Sequence, residues 1–318
     1  LGQTNRIEMI RRLLISVVLS VNLVIAGDIG GYAGGYLRLG TTARSMALGG
    51  GLTAEIDPGW AAFHNPAALV FLDKRHLSMF HHFLPLDRDL ISITAASALP
   101  PTGGIGLGIL RAGVDNIDGR DGSGHQTETL STAEYAIIFS FANEIMEGVS
   151  VGVNVKLLYQ SLPMNSKGQS RGTGFDIGLL IRRSSKMEFG LVLQDLSTAF
   201  NWNTAELFED EGRTYQDKFP MWIRAGLVYH LKDFDVIGDY SIISDWEYSS
   251  AHRIRAGLEF FANPRVALRG GIDNFMPSAG AGLNYSLINR DDSYVDYAFV
   301  LGKRGEGISH VFTYVFTF

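Results

Sequence analysis

The sequence contains no cysteine, which excludes disulfide bonds, thiolate metal sites and a cysteine nucleophile. It also lacks any block of like charges, so nothing indicates a charged tail. The formal net charge of -6 excludes nucleic acid as the main partner, because a phosphate backbone attracts a surplus of Lys and Arg. A hydrophobic content of 46% suits either a packed soluble core or a barrel with an apolar lipid face. The pattern of residues must decide between these two.

Long apolar runs are also missing, since no stretch approaches the roughly 20 residues of a membrane-spanning helix. The longest run, from Leu13 to Ile25, follows two arginines and ends at Ala26. A charged front, a short apolar core and a small residue at the end are typical of a secretory signal peptide. We expect translation to start at Met9 and cleavage after Ala26, so that residues 1–26 are upstream residues and signal peptide. A short buried helix is the alternative.

From Arg75 onward the sequence alternates between apolar and polar residues, the pattern of strands with two different faces. Residues 149–159 are the clearest case, with Val, Leu and Tyr at every odd position. Segments of about ten residues suit a tilted strand that crosses a bilayer. We predict about 14 strands, an even number as in bacterial single-chain barrels. The predicted strands lie near residues 75–84, 88–99, 103–112, 132–142, 148–160, 172–182, 187–196, 219–230, 234–244, 251–261, 264–272, 279–288, 293–301 and 308–318.

The connections between these strands alternate in length, as they do in barrels with short periplasmic turns and longer outer loops. The longest predicted outer loops are about 113–131, 161–171 and 197–218. Charged residues inside the strands alternate with apolar ones and would face a polar lumen, since each would cost a few kcal/mol on the lipid face. The predicted fold is an all-β transmembrane antiparallel β-barrel over residues 71–318. A soluble β-sandwich, whose charges would face water, is the alternative.

Residues 27–70 are rich in Gly and Ala and show no alternation, and short helical turns are predicted at 43–48 and 57–70. A barrel of about 14 strands is too wide for its own side chains to fill. We therefore expect residues 27–70 to form a small plug. Pro66 disfavours helix at Asn65, whose side chain can bond the neighbouring backbone, so this pair would start a short helix. An ordinary helix cap in a soluble loop is the alternative.

Three glycines, Gly104, Gly106 and Gly108, occur two residues apart inside the third predicted strand. They lack the third glycine of a dinucleotide-binding loop and the lysine of a phosphate-binding loop. Small residues that face a crowded lumen or plug explain them better.

The segment from Gly35 to Gly51, followed by Asp57 and residues 64–69, resembles the opening of the PorV/PorQ family. Its Asn65–Ala67 element is similar to the hatch of the wider FadL-like group of fourteen-stranded outer-membrane barrels. The PorV/PorQ resemblance implies a barrel that binds secreted or surface proteins in a type IX secretion and attachment system. The FadL-like group implies, as the alternative, transport of hydrophobic compounds. Both resemblances place the chain in the bacterial outer membrane, and the residues that match the hatch motif are Asn65, Pro66 and Ala67.

The last predicted strand has aromatic residues on one face and ends at Phe318. This pattern resembles the recognition signal for outer-membrane barrel insertion. We therefore expect two partners, outer-membrane lipid and the insertion machinery, the latter through Phe318. The predicted loop 197–218 contains Phe200, Trp202 and Phe208, which are candidates for contact with secreted proteins or secretion-system components. Placement at the membrane boundary is the alternative for these aromatic residues.

The sequence offers little evidence for catalysis. His76 and Ser78 share a strand face at about 7 Å, and no Gly-x-Ser-x-Gly elbow is present. Asp115, Asp118 and Asp121 lack the spacing of an EF-hand. We expect no enzyme, no metal site and no cofactor.

Overall fold

The computed structural model describes residues 31–57, 59–163, 168–203, 212–245, 250–288, 293–302 and 307–318. The predicted signal peptide and Phe208 lie outside the described residues. The fold is a closed antiparallel β-barrel of 14 strands, as the sequence predicts. None of the helices in the described part is long and apolar enough to cross a membrane.

Four short helical turns precede the barrel: α1 (Gly35–Arg38), α2 (Ala43–Ala47), α3 (Ala61–His64) and α4 (Pro66–Phe71). The strands are β1 (His76–Leu84), β2 (Arg88–Leu99), β3 (Gly103–Arg120), β4 (Gln126–Met146), β5 (Val149–Ser161), β6 (Gln169–Ser184), β7 (Met187–Asn203), β8 (Thr214–Lys218), β9 (Met221–His230), β10 (Phe234–Ser244), β11 (Ser250–Asn263), β12 (Val266–Asp273), β13 (Met276–Tyr285), β14 (Ser293–Leu301) and β15 (Ile308–Thr317).

These segments form 14 barrel strands because β8 and β9 are two parts of one strand. Both pair antiparallel with β7, with Lys218 opposite Ala199 and Trp222 opposite Gln194. Pro220 stands between them and has no backbone N–H to donate, so the hydrogen-bonded ladder is interrupted there. The barrel closes where β1 pairs with β15, with His76 opposite Thr317.

Two predicted outer loops are strands over much of their length. The predicted loop 113–131 consists largely of the ends of β3 and β4. These ends pair with each other as a two-stranded ribbon, which we call the ribbon, and residues 121–125 connect its two strands. The predicted loop 197–218 contains the end of β7 and all of β8. Both faces of the ribbon are mostly exposed, so its sequence has no apolar–polar alternation from which a strand could be predicted.

The two faces of the wall differ as the alternation predicts. On β5, Val153 and Leu157 point outward and are each 44% exposed, whereas Asn154 and Lys156 point inward and are buried. The exposed surface of the other strands is likewise apolar, with residues such as Phe139, Phe189 and Leu258. An apolar exterior and a charged interior fit a wall that faces lipid. The alternative of a soluble sandwich is wrong, because the sheet is a closed barrel.

Residues 32–72, which we call the N-terminal segment, pack against the inward faces of the strands. A Cβ atom added to Gly152 on β5 would lie 2.5 Å from the backbone of Pro66, and one added to Gly257 on β11 would lie 2.7 Å from the oxygen of Leu48. The segment therefore contacts the wall on different sides of the lumen. Glycine allows this close approach of two backbones because it has no side chain.

Candidate functional site: the barrel interior

The interior has an ionic side and an apolar side. The inward faces of β9 to β14 contribute buried charged residues, namely Arg224, Asp235, Asp239, Arg255, Glu259 and Asp296, together with Arg269, whose side chain is 7% exposed. The inward faces of β1 to β6 instead contribute Phe80, Leu90, Leu110, Ala136, Ile138, Leu158 and Leu180, all of them buried with the N-terminal segment in one apolar cluster. The segment thus lies between two surfaces of different chemistry.

On the ionic side, Arg44 of α2 joins the segment to the wall. Its Nη2 atom lies 2.6 Å from Oε2 of Glu259 and 3.3 Å from Oε1 of Glu55. Glu259 also accepts from Nε of Arg269 at 2.7 Å, and Arg269 in turn lies 2.5 Å from Asp296. Buried charges are tolerated when each is paired and hydrogen-bonded, as these are. The chain of charges therefore holds α2 in one position.

A second ionic contact is centred on Asp239 of β10. Its Oδ2 atom accepts hydrogen bonds from the hydroxyl of Thr53 at 2.5 Å and from the backbone N–H of Thr53 at 3.2 Å. Arg224 of β9 donates to the same oxygen at 3.1 Å and to the carbonyl of Gly50 at 3.1 Å. Two wall residues thus satisfy three polar groups of the segment.

The polar residues of the opening motif stabilise the segment itself. Asp57 accepts from the hydroxyl of Thr42 at 2.6 Å and from the backbone N–H of Gly59 at 3.0 Å. Burial alone would raise the pKa of Asp57, but the adjoining His64, the charge of Arg44 and the Thr42 hydroxyl lower it below its usual range. Burial lowers the pKa of His64, although the adjoining Asp57 opposes this.

Asn65 and Pro66 start a helical turn, as the sequence predicts. The Asn65 Oδ1 atom accepts from the backbone N–H of Ala67 at 3.1 Å, and Pro66 is the first residue of α4. The Nδ2 atom of Asn65 also donates to the carbonyl of Thr53 at 2.8 Å and to that of Leu179 on β6 at 3.1 Å. One side chain therefore caps α4, links two parts of the segment and attaches both to the wall.

A buried cation lies where β6 and β7 are irregular. Nζ of Lys156 is 2.6 Å from Asp176 and 2.5 Å from Asp195. Asp195 has a positive φ of 61°, and the pairing of the two strands shifts register in this region. Asn154 beside them donates to the carbonyl of Ala62 at 2.9 Å, so this polar cluster also contacts the segment.

On the apolar side, packing is joined by hydrogen bonds from the hydroxyl of Thr94 to the carbonyl of Gly59 at 3.0 Å and from the hydroxyl of Ser150 to the carbonyl of Ala67 at 2.8 Å. Trp60, Phe63 and Leu69 are buried there against the wall. A Cβ atom added to Gly108 would lie 2.2 Å from the Trp60 ring, and one added to Gly104 would lie 2.6 Å from the Leu69 backbone. The sequence-based explanation of these glycines, small residues that face a crowded lumen, is confirmed.

We expect a large side chain at an inward glycine to displace the segment. A Cβ atom at Gly178 would lie 2.1 Å from Oδ1 of Asn65, whereas one at Gly270 on the outer face has nothing within 4 Å. Gly178→Leu should lower the free energy of unfolding by about 2 kcal/mol, as overpacking does. Gly270→Leu, the matched control, should not lower it. Urea titration of the barrel in detergent micelles measures both, and equal stabilities would contradict the placement of Asn65.

The structure changes the position of the aromatic candidates. Phe200 and Trp202 lie on β7 rather than in a loop, and both are buried, with Phe200 0% and Trp202 5% exposed. Phe200 packs on Phe219 at 5.2 Å between ring centroids, and Trp202 stacks on Tyr215 at 6.2 Å. The prediction that they lie in an outer loop is wrong, because the period-two pattern of β7 continues through both residues. Contact with a partner stays an untested prediction.

One polar pair was not predicted from the sequence. Nε2 of His82 on β1 lies 2.8 Å from Oγ of Ser309 on β15, and both residues are buried. They are distant in sequence and meet only because the barrel closes between their strands. A Ser–His pair needs a third group to orient the imidazole, and Nδ1 of His82 has no hydrogen-bond partner among the described residues. In the same part of the chain, no group of three or more His, Asp or Glu could hold a metal ion.

These features define a transmembrane β-barrel with an internally held N-terminal segment, and solved structures share its fold. The toluene transporter TbuX of Ralstonia pickettii has a TM-score of 0.64 at 14% identity, over 88% of this chain and 98% of that one. The Pseudomonas putida toluene transporter TodX has a TM-score of 0.66 at 14% identity, over 88% and 99%. A FadL homologue of Pseudomonas aeruginosa has a TM-score of 0.59 at 11% identity, over 87% and 98%. No family model and no curated protein matches the chain.

Proposed function

We propose that this chain passes hydrophobic compounds across the bacterial outer membrane. The observation that carries the proposal is the apolar side of the interior, where the N-terminal segment and the inward faces of β1 to β6 share one buried apolar cluster. The fold supports it, because solved structures with this fold include two proteins named as toluene transporters. We therefore prefer transport of hydrophobic compounds, which the FadL-like resemblance implies, to protein binding, which the PorV/PorQ resemblance implies.

The two sides of the interior would have different roles in such passage. Separating Leu69 or Trp60 from the wall costs little when an apolar compound takes the place of the lost contact, because no surface becomes wet. Separating Arg44 from Glu259 would take from each of two buried charges its closest partner. A passing compound would therefore follow the apolar side while the ionic side keeps the segment attached.

Uptake of radiolabelled toluene tests the proposal. Cells of a Gram-negative host without its own hydrophobic-compound channel should accumulate toluene faster when they contain the barrel than when they contain an empty vector. A charged solute of similar size should show no such difference, because it would lose its hydration among the buried apolar residues of β1 to β6. Equal toluene uptake with and without the barrel would refute the proposal.

Protein binding, the PorV/PorQ function, is the second candidate, and the ribbon of β3 and β4 favours it. The last pair of β2 with β3 is Arg88 with Val114, and the last pair of β4 with β5 is Ala133 with Ser161. Among the described residues, no third strand pairs with residues 116–132, so the ribbon presents two open strand edges to which an extended peptide can add. Recovery of secreted proteins with the intact barrel, but not after deletion of the ribbon, would support this function.

The resemblance motif itself adds little to the second candidate. Asp57, His64 and Asn65 are buried, and Asp57 and Asn65 hydrogen-bond within the segment, so these residues account for architecture rather than for a partner surface. We further propose outer-membrane lipid as the surroundings of the apolar exterior. Phe318 is 60% exposed and would contact the insertion machinery.

A further inference from the structure

A groove on the outer wall interrupts the apolar exterior at β2. Ala95 and Ser97 form its floor, and they pair with Leu107 and Ile105 of β3, whose side chains stand beside it. Phe318 contributes to the other rim. We call this depression the β2 groove. Its volume is about 450 Å³, within the range of roughly 300–1,000 Å³ typical of small-molecule sites.

The lining of the β2 groove is almost entirely apolar and belongs to the lipid-facing surface. Ile105, Leu107 and Phe139 are 43%, 44% and 49% exposed. The floor is one strand wide, because the side chains on β2 are small and the residues of β1 and β3 that pair with them have larger side chains. A groove of this shape fits a slender, flexible apolar chain.

A cation stands at one end of the β2 groove. Arg75 lines it and is exposed, next to the point where its backbone N–H bonds to the carbonyl of Phe318 at 3.2 Å. Its side chain forms no ion pair with another described residue. This end of the wall is where β1 begins and β15 ends. The short turn between β2 and β3 lies at the same end, so we place this end on the periplasmic side, where barrels of this kind have their short turns. A basic residue at a membrane surface attracts anionic lipid headgroups.

We propose that the β2 groove binds one anionic glycerophospholipid of the periplasmic leaflet, with an acyl chain between β1 and β3 and the phosphate at Arg75. The chain fills a depression that the wall leaves open to lipid, and the guanidinium pairs with the phosphate oxygens. The proposal rests on the membrane location given above but not on transport. Toluene uptake and lipid binding are measured separately, so either proposal can fail without the other.

Native mass spectrometry of the detergent-purified barrel, titrated with phosphatidylglycerol, tests the site. Ala95→Trp fills the groove and should weaken binding at least tenfold, as expected when about two buried methylene groups lose their contacts. Arg75→Gln should weaken phosphatidylglycerol binding about fivefold, the effect of one basic residue near a charged surface. It should leave binding of uncharged diacylglycerol unchanged.

Ala256→Trp is the matched control, because Ala256 also faces outward, on β11, away from the groove. It should bind phosphatidylglycerol as the unchanged protein does, and gel migration with and without heating shows that each variant is folded. Equal lipid binding by Ala95→Trp and Ala256→Trp would overturn the proposal. So would a dimer that only Ala95→Trp dissociates, since a second copy would then occupy the groove.

Discussion

An Ala62→Cys/Gly106→Cys variant is expected to lose nearly all passage of hydrophobic compounds when oxidised and to regain it when reduced. Ala62 is on α3 of the N-terminal segment and Gly106 is on β3, on the apolar side. A Cβ atom at Gly106 would lie 3.6 Å from Cβ of Ala62, within the roughly 3.5–4.5 Å that a disulfide needs. The bond would fix the segment to the surface from which, in our proposal, it must separate.

The absence of native cysteine makes this experiment specific, because the two new thiols have no other partner in the chain. Toluene uptake of the same variant with and without reductant provides the comparison, so expression and folding are held constant. Each single-cysteine variant should be insensitive to reductant. Uptake that is the same in the oxidised and reduced states would show that passage does not require separation of α3 from β3.

Glu259→Gln is expected to lower the free energy of unfolding by about 3 kcal/mol, because it removes the shared partner of two buried cations. The Glu259 side chain is 1% exposed, and it accepts from both Arg44 and Arg269. A neutral amide cannot balance either guanidinium, and water does not reach the site to do so. Urea titration of the barrel in lipid vesicles, followed by tryptophan fluorescence, measures the change.

Asp118→Asn provides the control for the loss of one carboxylate. Asp118 pairs with Arg120 on the outer ribbon, where its side chain is 54% exposed. Such surface pairs are screened, so the change should stay within about 0.5 kcal/mol. If Glu259→Gln is no more destabilising than Asp118→Asn, the buried chain of charges does not hold the segment as described.

The wall could be predicted from the sequence because its two faces meet different surroundings. From Val149 to Leu157 on β5, Val or Leu on the outward face alternates with a polar or small residue on the inward face. The ribbon around residues 121–125 could not be predicted, since both of its faces are exposed. The break between β8 and β9 was signalled by Pro220, but whether a proline ends a strand or interrupts one depends on how β7 pairs with both parts.

The interior could be predicted only in part. The glycines of β3 and the capping role of Asn65 follow from local rules, so both were accessible from the sequence. The partners of Arg44 were not, because Arg44 and Glu259 are separated by 215 residues and many acidic residues alternate along the strands. Pairing of that kind is decided by the position of the segment in the closed barrel.

The close contacts of the segment also constrain the order of assembly. Leu48 and Leu69 contact opposite parts of the wall at glycine residues, where a side chain on the wall would have no room. A finished cylinder would leave no clearance for such a segment to slide in from one end. We therefore expect the segment to be in place before β1 and β15 pair, so that the pairing of these two strands is the last step of assembly.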